Sequence, residues 1–269
     1  MPELRSAALA TLLLADPVAK CAAVHALFAA RPAPAPERVF AIPPGLPGRP
    51  SRPRLVPPKQ VPLRSPQTLE GRVGLLHSIA HIEFNAINLA LDAIWRFAGL
   101  PADYYFDWLQ VAEEEAQHFE LLAVRLDAHG AAYGERDAHD GLWTMALATA
   151  GDALARMALV PRTLEARGLD ASPAVRAKLA AAGDHESAAA LDIILRDEIG
   201  HVAIGNRWYR FLCSERGLDP LSTYQVLVLR YAAPRPRGPF NLEARRAAGF
   251  EPEEIEALLE LRLLASPPA

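Results

Sequence analysis

Apolar residues recur at intervals of three and four along most of the chain, the spacing that places them on one face of an α-helix. No segment shows the sustained alternation of apolar and polar residues that is typical of a half-buried strand. The periodicity, together with the glycines and prolines between the apolar stretches, predicts helices at 5–29, 65–97, 102–129, 141–168, 173–182, 184–216, 219–231 and 251–264. The predicted fold class is therefore all-α.

One segment, 31–66, has a different composition. It holds 12 of the 24 prolines and seven cationic residues against a single acid, Glu37. Proline at this density prevents both helix and central strand, so we expect an extended arm. The arm is interpreted either as a strap across the helical body or as a basic docking segment for a partner. The chain is thus divided into an N-terminal helix 1–30, the arm 31–66, a helical body 67–231 and a C-terminal extension 232–269.

Two predicted helices carry the sequence Glu-x-x-His, from Glu115 to His118 and from Glu198 to His201. Residues three apart on a helix point to the same side, so each pair can bind metal from one face. The helix faces around both pairs are apolar: they carry Trp108, Val111, Phe119, Leu122 and Leu126 in the first case and Leu191, Ile194, Leu195 and Val202 in the second. We therefore expect both pairs to face the core.

Glu83 has a similar environment, because its helix face carries Leu76, Ile79, Ile87, Ala90 and Ile94. A lone buried carboxylate is costly or takes up a proton, whereas a cation can neutralise several converging carboxylates. Glu83 and Glu115 are nearly equally far from the turn near residue 100, so antiparallel packing would bring them to one height. The alternative is a buried salt-bridge network with arginines such as Arg156 or Arg162.

This pattern resembles the ferritin-like di-iron carboxylate proteins, whose four-helix bundle provides one Glu from each of two helices and Glu-x-x-His from each of the other two. Five of these six places are filled by Glu83, Glu115, His118, Glu198 and His201. The run from Leu164 to Arg167 is similar to a Glu-Ala-Arg run in the non-haem di-iron tRNA hydroxylases. Through that resemblance Glu165 is the expected sixth ligand, with Asp152 as the alternative nearer the middle of the third helix.

In finer detail the chain resembles a family of ferritin-like proteins named for the domain of unknown function 455. The runs that carry this resemblance are His81 to Ile87, Asp107 to Leu109, Met157 to Arg162, Leu164 to Gly168 and Arg196 to Val202. It covers about residues 65–250 and implies a ferritin-like four-helix bundle with a metal site, framed by the N-terminal helix, the arm and short C-terminal helices. It implies no particular activity.

Similarity to di-iron proteins at large implies oxygen chemistry. We therefore expect a non-haem di-iron oxidoreductase that uses O2 on an unidentified small-molecule substrate. Its cofactors would be two metal ions. Carboxylates and imidazoles suit both iron and manganese, and the similarity to di-iron proteins favours iron. One alternative is metal or oxygen handling, or a structural metal, without an organic substrate; another is hydroxylation of a tRNA nucleoside. His77 and His81 are expected to be core or surface histidines, and no catalytic residue is assigned.

Composition indicates which partners and which cellular compartment to expect. The net charge of −4 gives no general attraction to nucleic acid, so tRNA is kept only through the resemblance around Glu165. Cys21 and Cys213 form no disulfide framework, which favours a reducing compartment. No signal peptide opens the chain, and no apolar run reaches the roughly 18–20 residues of a membrane span. We expect a soluble, cytoplasmic protein without a membrane partner, with a homodimer as the arrangement to test.

Overall fold

The computed structural model describes residues 2–62, 64–234, 236 and 238–265, so parts of the predicted extension 232–269 lie outside the described residues. Its α-helices are α1 Leu4–Leu12, α2 Pro17–Ala30, α3 Leu69–Arg96, α4 Ala102–Ala128, α5 Gly141–Ala148, α6 Ala153–Leu159, α7 Ala166–Ala181, α8 His185–Glu215, α9 Pro220–Arg230, α10 Leu242–Ala247 and α11 Pro252–Ala265. A 3-10 turn covers Pro58–Gln60 and a π-helix covers Val160–Glu165. The described residues contain no strand beyond an isolated bridge, which confirms the all-α class.

The chain divides into two compact units, the first made of residues 1–144 and 178–190 and the second of 145–177 and 191–269. In the first unit α3 and α4 are joined by a short turn and pack as an antiparallel pair, while α1 packs on α3 and α2 on α4. Leu76, Ile87 and Leu122 are fully buried in this core. Burial of a leucine or isoleucine side chain contributes about 1.5–3 kcal/mol, so the apolar faces of these helices stabilise the pair.

The predicted N-terminal helix 5–29 is wrong in one respect, because the structure divides it into α1 and α2. The Asp16 carboxylate accepts a hydrogen bond of 2.8 Å from the Ala19 amide, and Pro17 occupies the first position of α2. Asp at the N-cap and proline at the first position both favour a new helix start. The predicted start of the next helix is corrected for a similar reason: the Thr68 hydroxyl caps α3 by accepting from the Gly71 amide, rather than Ser65.

The predicted helix 141–168 is also wrong as a single element. Residues between α5 and α6 form a turn, Asp152 caps α6, and the π-helix separates α6 from α7. α7 then continues through Gly168 and Pro173, where the sequence predicted an end. Proline leaves the carbonyl four residues earlier without its helical donor. For Pro173 this carbonyl belongs to Leu169. The side-chain amide of Asn241 donates to it at 3.2 Å and supplies the missing hydrogen bond.

Among the described residues of the predicted arm, 31–56 form an extended segment whose backbone is hydrogen-bonded to the rest of the first unit at several points. These hydrogen bonds join Leu4 to Ala33, Gly99 to Pro36, Gly48 to Leu12 and Val56 to Ala138, at 2.8–3.1 Å. The buried guanidinium of Arg5 adds donors to the carbonyls of Ala35 and Pro36 at 2.9 Å, and to that of Trp95 at 2.8 Å. The arm therefore lies across the first unit.

No helix among the described residues combines the length and the apolarity that a membrane-spanning helix needs.

Candidate metal centre

Glu83 lies near the middle of α3, on the helix face that packs in the core of the first unit. Its side chain is only 3% exposed, and Leu76 and Ile87, on the same face, are fully buried. A carboxylate in such surroundings loses the water that normally stabilises its charge. The apolar face of α3 therefore holds Glu83 in a position that requires a compensating charge.

Glu115 and His118 lie one turn apart on α4 and are both essentially inaccessible to solvent. The Nδ1 atom of His118 is 3.4 Å from the Glu83 carboxylate and 3.5 Å from the Glu115 carboxylate. Trp108, two turns before Glu115, and Leu122, one turn after His118, are also buried. The antiparallel pair α3 and α4 thus brings two carboxylates and one imidazole to the same height.

A fourth side chain belongs to the same group. Glu83, Glu115, His118 and Glu198 each offer one ligand atom, and these four atoms all lie within 4.8 Å of one another. All four residues are buried. Three carboxylates and one imidazole at such distances form a cluster that could hold a metal ion, and oxygen and imidazole nitrogen donors of this kind suit iron or manganese.

His201, the other half of the second Glu-x-x-His pair, is fully buried on α8. Its Nδ1 atom is 3.9 Å from the Glu198 carboxylate, as expected for residues one helical turn apart that point the same way. It is not a member of the four-residue group. The spacing on α8 still leaves both side chains on one face.

Glu165 is half-buried at the end of the π-helix, in a segment that the sequence predicted to be regular α-helix. The Thr163 hydroxyl donates to the Ala158 carbonyl, five residues earlier, at 2.7 Å. Single π-helical turns often occur at functional sites. Gly205 makes room for this turn, because a Cβ atom at that position would lie 2.5 Å from the Cβ atom of Pro161. Glu165 is not a member of the four-residue group.

Asp152, the alternative sixth ligand, has a structural role in the second unit. Its carboxylate accepts a 3.0 Å hydrogen bond from the Leu154 amide and thereby caps α6. The same carboxylate pairs with the Arg216 guanidinium at 2.9 Å. Both interactions are typical of a helix N-cap on the protein surface.

The structure also bears on the alternative of a buried salt-bridge network. The Arg162 guanidinium donates to the Asn206 side chain at 2.7 Å and to the Glu254 carboxylate at 2.5 Å. It also lies over the rings of Tyr209, Tyr224 and Phe250. None of these contacts is to a predicted ligand, so the ion pair of Arg162 is with Glu254 and not with the cluster. Arg156 donates to the Thr149 hydroxyl at 2.9 Å.

The charge of the cluster affects its imidazole. Burial would lower the pKa of His118, but the hydrogen bonds and charges of Glu115 and Glu83 outweigh it and raise that pKa to about 11. A proton on His118 therefore offsets part of the negative charge of the two carboxylates. A divalent cation would offset more of it, and its binding would require that proton to leave. The donors present and their excess negative charge fit a metal ion.

His77 and His81, which were expected to be core or surface histidines, are both buried on α3. His77 Nε2 accepts a 2.9 Å hydrogen bond from the Gly134 amide, and His81 Nδ1 lies 2.9 Å from the Tyr133 hydroxyl. Burial lowers the pKa of both histidines to about 4, so each imidazole stays neutral at pH 7. They attach the segment after α4 to α3.

Fold and site together define an all-helical protein with a buried cluster of glutamates and a histidine that could bind metal. The chain belongs to the family described as "Protein of unknown function (DUF455)", whose sequence profile matches residues 13–256. It is similar to an "Uncharacterized protein" of Haemophilus influenzae, with 50% identity over 219 residues that cover 79% of this chain and 76% of the relative. No solved structure matches the chain.

Proposed function

We propose that this chain is a di-metal carboxylate protein, with two irons as the resident metals, that acts as an O2-dependent oxidoreductase on a small-molecule substrate. The observation that carries the proposal is the buried group of Glu83, Glu115, His118 and Glu198, whose ligand atoms lie within 4.8 Å of one another. Isolated carboxylates are rarely kept in a core, so three of them beside an imidazole indicate a cation. The proposed architecture is a ferritin-like four-helix bundle.

In this proposal Glu165 and His201 complete the ligand set. The four glutamates would then contribute a charge of about −4, which balances two divalent ions. Bound iron would supply the reduction of O2, and manganese is the alternative metal. The chain itself contributes ligands on rigid helices and an apolar lining, such as Ile87 one turn after Glu83 and Phe119 beside His118, which excludes water.

A cytoplasmic location is also part of the proposal. Cys21 and Cys213 are free and buried, which is consistent with the reducing cytoplasm. Metal or oxygen handling without an organic substrate is the alternative function, since the same cluster would serve it. The tRNA alternative gains no specific support, because Arg38, Arg49, Arg54 and Arg64 of the arm pair with acids of the first unit.

The test is elemental analysis of freshly purified protein, combined with its optical spectrum before and after exposure to O2. We expect close to two iron ions, or one iron and one manganese, per chain, and an absorption band that appears on oxidation. A single tightly held zinc ion, with no spectral change, would contradict the proposal. A large excess of iron per chain would favour the handling of metal over oxidation of a substrate.

A further inference from the structure

A surface cleft of about 780 Å3 lies in the first unit, between the arm and the segment that follows α4. Its two walls are residues 50–55 and 134–137. The volume falls within the range of about 300–1,000 Å3 that is typical of small-molecule sites. Neither the arm nor this segment carries a predicted metal ligand, so the cleft is separate from the candidate metal centre.

The walls of the cleft are held in place by defined contacts. The Val56 amide donates to the Ala138 carbonyl at 2.8 Å, and the Ala138 amide donates to the Arg54 carbonyl at 3.0 Å. The guanidinium of Arg54 pairs with the Asp137 carboxylate, with Nε 3.0 Å from Oδ1. Gly134 has a φ of +101°, and a Cβ atom there would lie 3.4 Å from the Cβ atom of Arg52. The glycine thus permits the positive φ of this wall, and the two walls lie in ordinary van der Waals contact at this point.

The cleft has an excess of positive charge. Three guanidinium groups, of Arg52, Arg54 and Arg136, line it against two carboxylates. The Asp137 carboxylate pairs with Arg54, so the two remaining arginines are opposed by one further carboxylate, that of Glu135. Arg52 and Arg136 are exposed, and neither forms an ion pair with an acid in the described part of the chain. Two arginines on opposite walls can therefore accept one anionic group between them.

The floor of the cleft leads towards the α3–α4 pair. A smaller cavity of about 30 Å3 shares Pro50, Pro53 and Leu55 with the cleft and extends to Phe84. Phe84 directly follows Glu83, and its ring lies 5.5 Å from that of Phe119, which directly follows His118. A molecule held at the arginines would thus lie on the side of the helix pair that carries Phe84.

We propose that this cleft binds the anionic group, a phosphate or a carboxylate, of a small molecule, with Arg52 and Arg136 as its cationic contacts. The proposal rests on the proposed function only in making the bound anion a substrate; the binding itself needs no metal. Guanidinium groups match phosphate and carboxylate oxygens through paired hydrogen bonds. The positions of the walls are fixed before the ligand arrives, which limits the entropy lost on binding.

The experiment is isothermal titration calorimetry of the full chain with inorganic phosphate and, separately, with citrate. We expect saturable binding of at least one probe, weakened about tenfold or more in the double variant Arg52→Gln/Arg136→Gln, and weakened further by added salt. Binding of phosphate alone would assign a phosphate-bearing ligand, and binding of citrate alone a carboxylate-bearing one. The matched control is Lys59→Gln, which removes an exposed cation of the same arm outside the cleft and should leave binding unchanged.

The proposal would be overturned if neither probe bound saturably, if the double variant bound both as well as the wild type, or if Lys59→Gln caused an equal loss. Circular dichroism of each variant checks the fold, and the single variants Arg52→Gln and Arg136→Gln replace the double one if it unfolds. Metal content is measured on the same samples. Anion binding without metal would contradict only the proposed function, and metal without anion binding would contradict only this inference.

Discussion

The Nδ1 atom of His118 lies 3.4 Å from the carboxylate of Glu83, so a side chain of α4 meets one of α3 in the interior of the antiparallel pair. The two residues are separated from the turn between the helices by nearly equal numbers of residues. Because each residue adds the same rise along a helix, the two side chains lie at the same level along the antiparallel pair. Neither residue depends on a loop for its position. The positions of Glu83 and His118 are therefore set by the core of the first unit, and substitutions can remove one ligand while the helices remain.

Replacing Glu115 with Gln is expected to abolish most metal binding. The variant loses a carboxylate that is fully buried in the cluster, while the shape of the side chain is retained. Metal content by elemental analysis should fall by at least one ion per chain. The increase in thermal midpoint that added iron(II) gives the wild type should also disappear, because a ligand stabilises only the folded state that binds it.

Glu113→Gln is the matched control for this experiment. Glu113 lies on the same helix and is also largely buried, but its carboxylate pairs with His25 at 2.8 Å and is not in the metal group. Its substitution should leave the metal content unchanged. Equal metal loss in both variants would indicate a general disturbance of α4 instead of the removal of a ligand.

Glu165→Ala and Asp152→Ala should have different effects. Loss of Glu165 is expected to remove one metal ion or most of the metal. Loss of Asp152 should leave the metal in place but lower the free energy of unfolding by about 0.5–2 kcal/mol, because Asp152 caps α6. Elemental analysis and urea unfolding measure the two effects. Metal loss in Asp152→Ala with full metal in Glu165→Ala would transfer the ligand role to Asp152.

The long helices of this fold are predictable from the sequence, because α3, α4 and α8 have sustained apolar faces and strong end signals. Their observed limits differ from the predicted ones by at most a few residues. The break between α1 and α2 was missed because the apolar pattern continues across Asp16 and Pro17. The π-helix was missed because one extra residue in a turn changes the register of a helix without any residue type that marks it.

The candidate ligands also differ in how well the sequence predicts their positions. Glu83, Glu115, His118 and Glu198 lie on regular helices, where spacing and apolar neighbours predict which way a side chain points, and these four come together in the structure. Glu165 lies in the π-helix, where the ordinary helical period no longer predicts direction, and its role as a ligand stays a prediction, as does that of His201. Arg52 belongs to the basic arm that the sequence indicated, but its pairing with Arg136 in one cleft gave no signal, because segments distant in sequence build the two walls.

Gly48→Ala should destabilise the first unit by about 1–3 kcal/mol, as expected for overpacking. A Cβ atom at Gly48 would lie 2.2 Å from the Leu13 carbonyl oxygen, so the arm would have to move away from the end of α1. Such a shift would weaken two hydrogen bonds, from the Gly48 amide to Leu12 and from the buried Lys20 ammonium to the Gly48 carbonyl, at 2.9 and 2.8 Å. Urea unfolding measures the loss.

Gly74→Ala provides the opposite expectation. Gly74 lies within α3, and an added Cβ atom there would meet nothing within 4 Å. Alanine in a helix is more favourable than glycine by about 0.5–1 kcal/mol, so this variant should be slightly more stable than the wild type. If Gly48→Ala were as stable as Gly74→Ala, the arm would not be seated on α1 as the structure shows.

The stability that His25 contributes should decrease as pH rises. Burial acts to lower the pKa of His25, but the carboxylates of Glu113 and Glu120, at 2.8 and 3.2 Å, outweigh it, and the pKa is raised above 6.5. A raised pKa means that the ion pairs stabilise the folded state fully below the pH where the unfolded histidine titrates, near 6.5, and lose this effect as pH rises through the folded pKa.

Urea unfolding of the wild type and His25→Gln across this pH range tests the expectation. The difference between them should be below about 1 kcal/mol, since the side chains are partly exposed, and should shrink towards alkaline pH. The matched control is His185→Gln, which removes an exposed imidazole at the start of α8. A difference that grows with pH would contradict the assignment of charge to His25.

The iron-loaded protein should react with oxygen. The apolar residues nearest the ligands along the helices, such as Ile87 after Glu83 and Phe119 after His118, are at most 4% exposed, so bulk water has little access to this part of the core. Bound iron would supply the reduction of O2, and a buried, carboxylate-rich site would suit that chemistry. We therefore expect iron(II)-loaded protein, prepared anaerobically and then mixed with oxygenated buffer in a stopped-flow instrument, to consume O2 within seconds and to develop a new absorption band.

Glu115→Ala and His201→Ala should abolish the reaction while far-ultraviolet circular dichroism shows an intact helical fold, and Glu113→Gln should react like the wild type. An iron-loaded wild type whose spectrum stays unchanged over many minutes in air would mean that O2 is not activated by the protein alone, and a structural metal would then be the better explanation of the cluster.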